Sequence, residues 1–176
     1  MAAATATIPL SGKHGFGKVA IVDKRFEKEV KKHSWWVRTN HGHVAVFTTI
    51  SSRRDLNMGR FILELSGEVG HGLTPDHADR NPFNNTLTNL RFADRSEQMR
   101  NRGLQKTNTS GFRGVSWRKE KRKWECSCRI RGRRRHLGYF KDVKAAARAY
   151  NEYLESSDVR DEFKVFNEVS DSESEE

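Results

Sequence analysis

Cysteine is scarce in this chain, with Cys126 and Cys128 the two among 176 residues. Two thiols so close together make no disulfide framework, and a reducing, intracellular setting is the expectation. They make no zinc site either. Zinc takes four ligands, and a Cys-x-Cys on a strand sends both thiols to one face as neighbours. They are read as small buried hydrophobes. Apolar residues are sparse as well, at 35% against 32% charged. Any core is therefore small, and two compact modules are expected rather than one thick fold. No apolar run approaches about 18 residues, so a membrane partner is not expected. Met1–Thr7 is rich in Ala and Thr but lacks an apolar stretch and arginine, and is not read as a targeting segment.

What the chain has is positive charge, unevenly spread around a net +10. Residues 155–176 hold nine Asp or Glu against two Lys or Arg, a net of −7. Arg91–Arg135 holds sixteen basic residues against four acidic ones. Charge gathered to this degree points to a polyanion, and nucleic acid is the expected partner. A merely solvated basic face is the bland alternative, but soluble surfaces seldom concentrate charge so strongly.

The first half begins with strand patterns. Lys18–Asp23 reads as a strand, Lys24–His33 as a short charged helix, and Ser34–Arg38 with His43–Ile50 as a hairpin around Asn40-His41-Gly42. Arg60–Leu65 fits helix or strand. Trp35 and Trp36 suit base stacking, yet core packing is the better account of at least one. His41, His43 and His71 read as turn and surface residues.

Thr74–Gly103 carries the chemistry. Asp76-His77 is followed by a loop with Asn81-Pro82 and Asn84-Asn85, then by Asn89-Leu90-Arg91. A short helix comes next, with Asp94 as cap, Glu97 three residues on, and Gly103 at its end. The expected order is strand, loop, strand, helix, with Asp76, His77, Asn89 and Gln98 brought together where these elements meet. An imidazole with an ordinary pKa of about 6.5 deprotonates water at neutral pH. A carboxylate and an amide oxygen are hard ligands suited to Mg²⁺. Metal-assisted phosphodiester cleavage is the chemistry such a set suits.

The spacing DH-x4-P-x2-N-x4-NLR, followed by S-x2-M-x-N in a capped helix, resembles the ββα-metal core of HNH endonucleases of the homing type. The order IPLSG…KVAIVDKRFEKEVKKHSWWV…GHVAVF is similar to their N-terminal half. The resemblance implies His77 as general base, Asp76 as metal ligand, and Asn89 as the residue tying the loop to the strands. It places the second metal ligand at Gln98, where homing relatives carry Asn. Gln98 offers the same amide oxygen one methylene further out, and Asn101 carries that group one helical turn on.

Gln105–Ser110 is polar and turn-prone and is read as a linker. Beyond it, Phe112–Arg118, Lys123–Arg131 and Arg133–Phe140 read as a three-stranded antiparallel meander. Trp124, Cys126, Cys128 and Ile130 lie on one face, with Glu125, Ser127, Arg129 and Arg131 on the other. Asp142 then caps a helix over Val143–Glu155, whose apolar stripe includes Ala146, Ala147, Tyr150 and Leu154. The alanines let this helix lie close on one side of the sheet, which leaves an arginine-studded side exposed. A twisted sheet of that width fits the DNA major groove, where Arg bonds guanine or grips phosphate.

The pattern SGFRGVSW…KWECSCRI…RRRHLGYF…AAARAYNEY resembles the APETALA/ethylene-response-factor DNA-binding domain of plants. The likeness implies DNA-facing roles for Arg113, Ser116, Arg118, Ser127, Arg129, Arg131, Arg134, His136 and Tyr139. Ser116, His136 and Ser127 stand where the plant factors have Arg, Trp and Glu, so their base preference does not carry over.

The expectation is thus an α+β chain. Residues 8–104 form an HNH endonuclease-like domain and 105–110 a linker. Residues 111–157 form the sheet-based DNA-binding domain and 158–176 an acidic disordered tail. The expected function is a monomeric, intracellular, site-directed DNA endonuclease that acts on double-stranded DNA. It uses Mg²⁺ or Mn²⁺, with no small-molecule cofactor and no membrane partner. The alternative is a non-cleaving DNA-binding protein or transcription regulator.

Overall fold

The computed structural model describes residues 3–40, 42–51 and 53–170. The expected hairpin tip at His41 and the last residues of the tail, 171–176, lie outside them. Among the described residues the fold is α+β, with four α-helices and small, mostly antiparallel sheets. Two compact units divide it, 1–94 and 95–176.

In the first unit β1 (Thr5–Pro9) pairs antiparallel with β2 (Val19–Asp23). Each strand alternates exposed and buried residues, sending Ala6, Ile8, Ala20 and Val22 inward. The charged helix expected over 24–33 is shorter. One 3₁₀ turn, Lys24–Phe26, precedes α1 (Glu27–Val30). The chain then turns into Trp35, which is 1% exposed and donates from Nε1 to the Val30 carbonyl at 2.8 Å. Trp35 is a core residue. Strands β3 (Trp36–Asn40), β4 (His43–Ile50) and β5 (Arg53–Asn57) form a meander.

The ambiguous segment near Arg60 is helical, α2 (Met58–Leu65). Asn57 decides it. Its side chain accepts from the Arg60 amide at 3.2 Å, satisfying a donor that the first helical turn leaves open. Met58, Ile62 and Leu63 then face inward, fully buried. Helix α2 contacts β6 (Thr74–His77), β7 (Asn84–Asn85) and β8 (Leu90–Ala93), so the segment that holds the Asp-His pair rests on the core.

The second unit begins with α3 (Arg95–Asn101). Strands β9 (Val115–Arg118), β10 (Lys123–Ile130) and β11 (Arg133–Phe140) form an antiparallel sheet in the order β11-β10-β9. Helix α4 (Val143–Glu155) lies on one side of it. Asp142 caps α4, accepting from the Ala145 amide at 2.7 Å. Ala146, Tyr150 and Leu154 face the sheet and bury Cys126 and Cys128, and Ala147 is buried as well. Burial pushes the Cys126 thiol up to about 11, so it behaves as an inert apolar group.

Two boundaries differ from the sequence expectation. The first unit ends at Asp94 rather than at 104, so residues 105–110, expected as a polar, turn-prone linker, lie inside the second unit, where Asn108 and Ser110 organise a tight turn. Asn108 bonds the Phe112 carbonyl at 2.9 Å and Ser110 the Val115 carbonyl at 2.9 Å. Residues 158–170, expected as part of a disordered tail, are folded onto the second unit. Phe163 is fully buried, and Asn167 is clasped through hydrogen bonds to Arg113 and Asn151. The acidic composition of the tail as a whole hid two side chains that anchor it.

Candidate active site and nucleic-acid interface

Asp76 and His77 end β6, paired across the two-stranded sheet with Arg91 and Leu90 of β8. The loop between these strands carries a dense set of short polar side chains. Asn89 is its tie. Its Nδ2 donates to the Asp79 carboxylate at 2.9 Å and to the Asn84 carbonyl at 2.7 Å. Its Oδ1 accepts from the Asp79 amide at 2.9 Å. Asp79 also accepts from the Asn81 amide at 2.7 Å and from the Asn84 side chain at 2.8 Å. Burial raises the Asp79 pKa, but these donors outweigh it and hold the carboxyl below its ordinary range. The loop is fixed by these hydrogen bonds together with Phe83 and Leu87, which pack against the core.

His77 Nε2 lies 3.1 Å from Asn85 Oδ1. The Asn85 amide nitrogen donates to the Pro82 carbonyl at 3.2 Å, so the oxygen is the atom presented to the ring. Neutral His77 therefore carries its proton on Nε2, and its basic lone pair is on Nδ1. Asn85 is itself 1% exposed and held in β7, which pairs parallel with β2. Burial lowers the His77 pKa below its ordinary value, with Asn85, Asp79 and Asp76 opposing the shift. The ring is neutral at physiological pH.

Asp76 accepts from Arg91 Nε at 3.0 Å, in a pair whose side chains are 12% and 15% exposed. Asp76, His77 and Asn89 thus come together in the first unit. Gln98 lies on α3, in the second unit. The donor set, a carboxylate oxygen and an amide oxygen, suits a hard divalent cation, and Asp76 shares its position with the Arg91 cation. Among the described residues no group of three His, Cys, Asp or Glu gathers as a metal-ligand cluster.

In the second unit the strand register puts most of the expected DNA-facing residues on one side of the sheet. Ser116 faces Glu125, Arg118 faces Lys123, Ser127 faces His136, and Arg129 faces Arg134. The register skips Leu137 between His136 and Gly138, a β-bulge with Gly138 at φ 138°. This extra residue returns Tyr139 to the side occupied by His136, and the two rings lie 4.7 Å apart. Without the bulge Tyr139 would face α4.

Glu125 sits in the middle of this basic side, buried at 8% exposure. Arg118 Nε bonds one carboxylate oxygen, while Arg134 (3.2 Å) and His136 (3.3 Å) share the other. Burial raises the Glu125 pKa, but the Arg118 bond and the surrounding charges prevail and hold it below the ordinary glutamate range. Arg134 also donates to the Ser127 hydroxyl at 3.0 Å. The arginines are thereby held in fixed directions. Arg129 and Arg134 are both exposed and directly opposite, an arrangement of like charges that an anion relieves.

Two of the expected DNA-facing arginines are elsewhere. Arg131 is in the β10–β11 turn at φ 47° and pairs with Asp158 at 2.9 Å. Arg113 precedes β9 and donates to the carbonyls of Arg100 (3.1 Å) and Arg102 (2.6 Å), closing the end of α3.

No family model matches the chain, and no solved structure matches it. Over 72 residues it is 38% identical to Protein 3.8 of Escherichia phage T7, a stretch covering 41% of this chain. The chain spans 60% of the length of that curated relative.

The sequence reading missed four residues around the Asp-His pair and underused one in the sheet. In the sequence Asn84 and Asn85 read as part of a turn-rich loop and Arg91 as the end of the Asn89-Leu90-Arg91 motif, with no partner assigned, and Asp79 is not singled out. Five short amide or carboxylate side chains within Asp79–Asn89 were a signal, because such a cluster needs internal partners to be ordered. Glu125 was placed on the correct side but given no task. As the acid of its strand among many cations, it was a natural hub.

Proposed function

We propose that the chain is an HNH-type DNA endonuclease whose second unit binds double-stranded DNA through its basic sheet. The observation that carries this reading is the His77–Asn85 contact beside Asp76. A partly buried, neutral imidazole has its tautomer set by a carboxamide that is itself held by the backbone. His77 Nδ1 takes a proton from a water molecule, and the water oxygen forms a new bond to phosphorus. The bond from phosphorus to the leaving sugar oxygen breaks, and that oxygen takes up a proton. Asn89 keeps the loop, and with it the ring, in place. Mg²⁺ or Mn²⁺ held through Asp76 would supply charge stabilisation at the leaving oxygen. The test is nicking of supercoiled plasmid with Mg²⁺ or Mn²⁺ against EDTA. Metal-dependent nicking that His77→Ala abolishes supports the reading; intact plasmid under every condition, with a Gln98→Asn variant included, sinks it.

A second reading has its own support. The Asp76–Arg91 pair gives Asp76 a structural partner, as expected of a non-cleaving DNA-binding protein that keeps the loop as scaffold. In that case the protein binds duplex DNA with the same affinity in Mg²⁺ and in EDTA, and Asp76→Ala lowers stability without touching any activity.

A further inference from the structure

The second unit contains a groove of about 900 Å³ walled by α3, the segment after it, the start of β9, Ser127 and Arg129 of β10 and Arg134 of β11, so it runs into the basic side of the sheet. Five arginines line it: Arg100, Arg102, Arg113, Arg129 and Arg134. No Asp or Glu does. Arg113 neutralises the carbonyls of Arg100 and Arg102, which removes the partial negative charge that a helix end otherwise presents. The floor includes Tyr150, buried against Cys128.

Arg100 is the unexplained member. Its Nε and Nη1 are buried and have no hydrogen-bond partner among the described residues. Arg100 as a whole is half-buried, but two guanidinium nitrogens shut away from water without a partner are destabilising, because their donors are not compensated. Every other arginine of the groove whose bonds are described above holds an oxygen. Arg134 already holds the Glu125 carboxylate, but no Asp or Glu among the described residues lines the groove beside Arg100. The uncompensated donors of Arg100 and the planar fork of arginine suit a tetrahedral oxyanion, which offers paired oxygens to that fork.

We propose that this groove is a phosphate-binding site, with Arg100 as its anchor and Arg102 at its mouth, and that the phosphate is a phosphodiester of the nucleic-acid backbone. The inference builds on the DNA-binding part of the proposed function and is independent of cleavage. It makes the end of α3 and the segment following it part of the nucleic-acid surface, whereas the sequence placed residues up to 104 in the nuclease-like domain and 105–110 in a linker.

The test uses the full chain, a fluorescein-labelled 25-base-pair duplex and fluorescence anisotropy at several KCl concentrations, with thermal unfolding alongside. Arg100→Met keeps the volume and removes the charge. The expected result is binding weakened about five- to tenfold, with the slope of log K against log[KCl] reduced by about one. The melting temperature is expected to hold or rise, since two buried unpaired donors have gone. Unchanged affinity and slope overturn the proposal, and so does a fall in melting temperature without a change in slope, which marks a structural role. Should Arg100→Met not fold, Arg102→Gln decides by the same slope, because that side chain is exposed. Pyrophosphate is the second probe. If it stabilises the wild-type chain but not Arg100→Met while duplex binding is equal in both, the ligand is a free phosphate compound and the backbone assignment falls. A chain that binds duplex through Arg100 but cuts nothing keeps this site and loses the nuclease reading. A wild-type chain that binds no duplex loses both.

Discussion

The proposed role of His77 as a base needs a neutral ring with its lone pair on Nδ1. Burial secures the first condition and Asn85 the second. The folded pKa is depressed, so the neutral form persists to lower pH than for a free histidine, and the proposed cleavage is expected to be lost as pH falls through that depressed value. A pH–rate profile is therefore expected to reach half its plateau below about 6.5. Asn85→Ala removes a contact that favours the charged ring. It is expected to move that half-point lower still while reducing the plateau, because both tautomers are then populated. A plateau unchanged in Asn85→Ala, read in the same nicking assay, refutes the tautomer argument. Glu125 is the corresponding residue of the sheet. Replacing it by Gln leaves the shape and removes the charge that directs Arg118, Arg134 and His136. Truncating one member of a buried charged group costs roughly 3–5 kcal/mol, and the half-exposed arginines reduce that toward its lower end through solvent screening. The contribution of Glu125 is present above its unfolded pKa and is lost as pH falls through the lower folded one. Glu125→Gln is thus expected to flatten the loss of stability in acid, measured by urea unfolding at pH 7 and pH 3.

At the scale of elements, the contacts that matter are between short segments and side chains distant in sequence. Helix α2 begins where it does because Asn57 caps it, and Asn57→Ala is expected to lower stability by about 1 kcal/mol in urea unfolding. The segment 158–170 holds by Phe163 and Asn167. Asn167 accepts from the Arg113 amide at 2.7 Å and donates to its carbonyl at 3.2 Å, 54 residues away. Asn167→Ala leaves both buried groups unpaired and is expected to cost roughly 1–3 kcal/mol. Chain ends are often cleaved first in limited proteolysis. Here cleavage after Lys164 is expected to be slow in the wild type and fast in Asn167→Ala. The same logic places α3 in the second unit. Arg160 grips both oxygens of Glu97 at 2.8 Å, and Arg113 holds the far end of the helix. Such ties pair residues up to 63 positions apart, and no local pattern announces them.

For the whole molecule, charge distribution is the property that reaches solution behaviour. The basic face, the groove and the exposed Arg129–Arg134 pair predict binding that falls steeply with salt. With about six phosphate contacts, affinity is expected to fall roughly a thousandfold between 50 and 200 mM salt, checked by anisotropy titrations across that range. A slope near zero refutes a backbone-gripping surface.

Charge, strand alternation and the helix stripe were legible from the sequence because each is a local or additive quantity. They determined the α+β class, the meander with its covering helix, the burial of both thiols and the concentration of positive charge. Spacing likewise brought Asp76, His77 and Asn89 to notice. The tertiary structure decided the rest. It made Asn85 the partner of His77, turned Arg113 and Arg131 away from the sheet, returned Tyr139 to it through a bulge, and folded 158–170 onto the second unit. Each of these depends on which distant donor meets which acceptor, or on one residue skipped in a register. Hydrogen bonds of that kind are fixed by packing, and the order of residues along the chain does not encode them pair by pair.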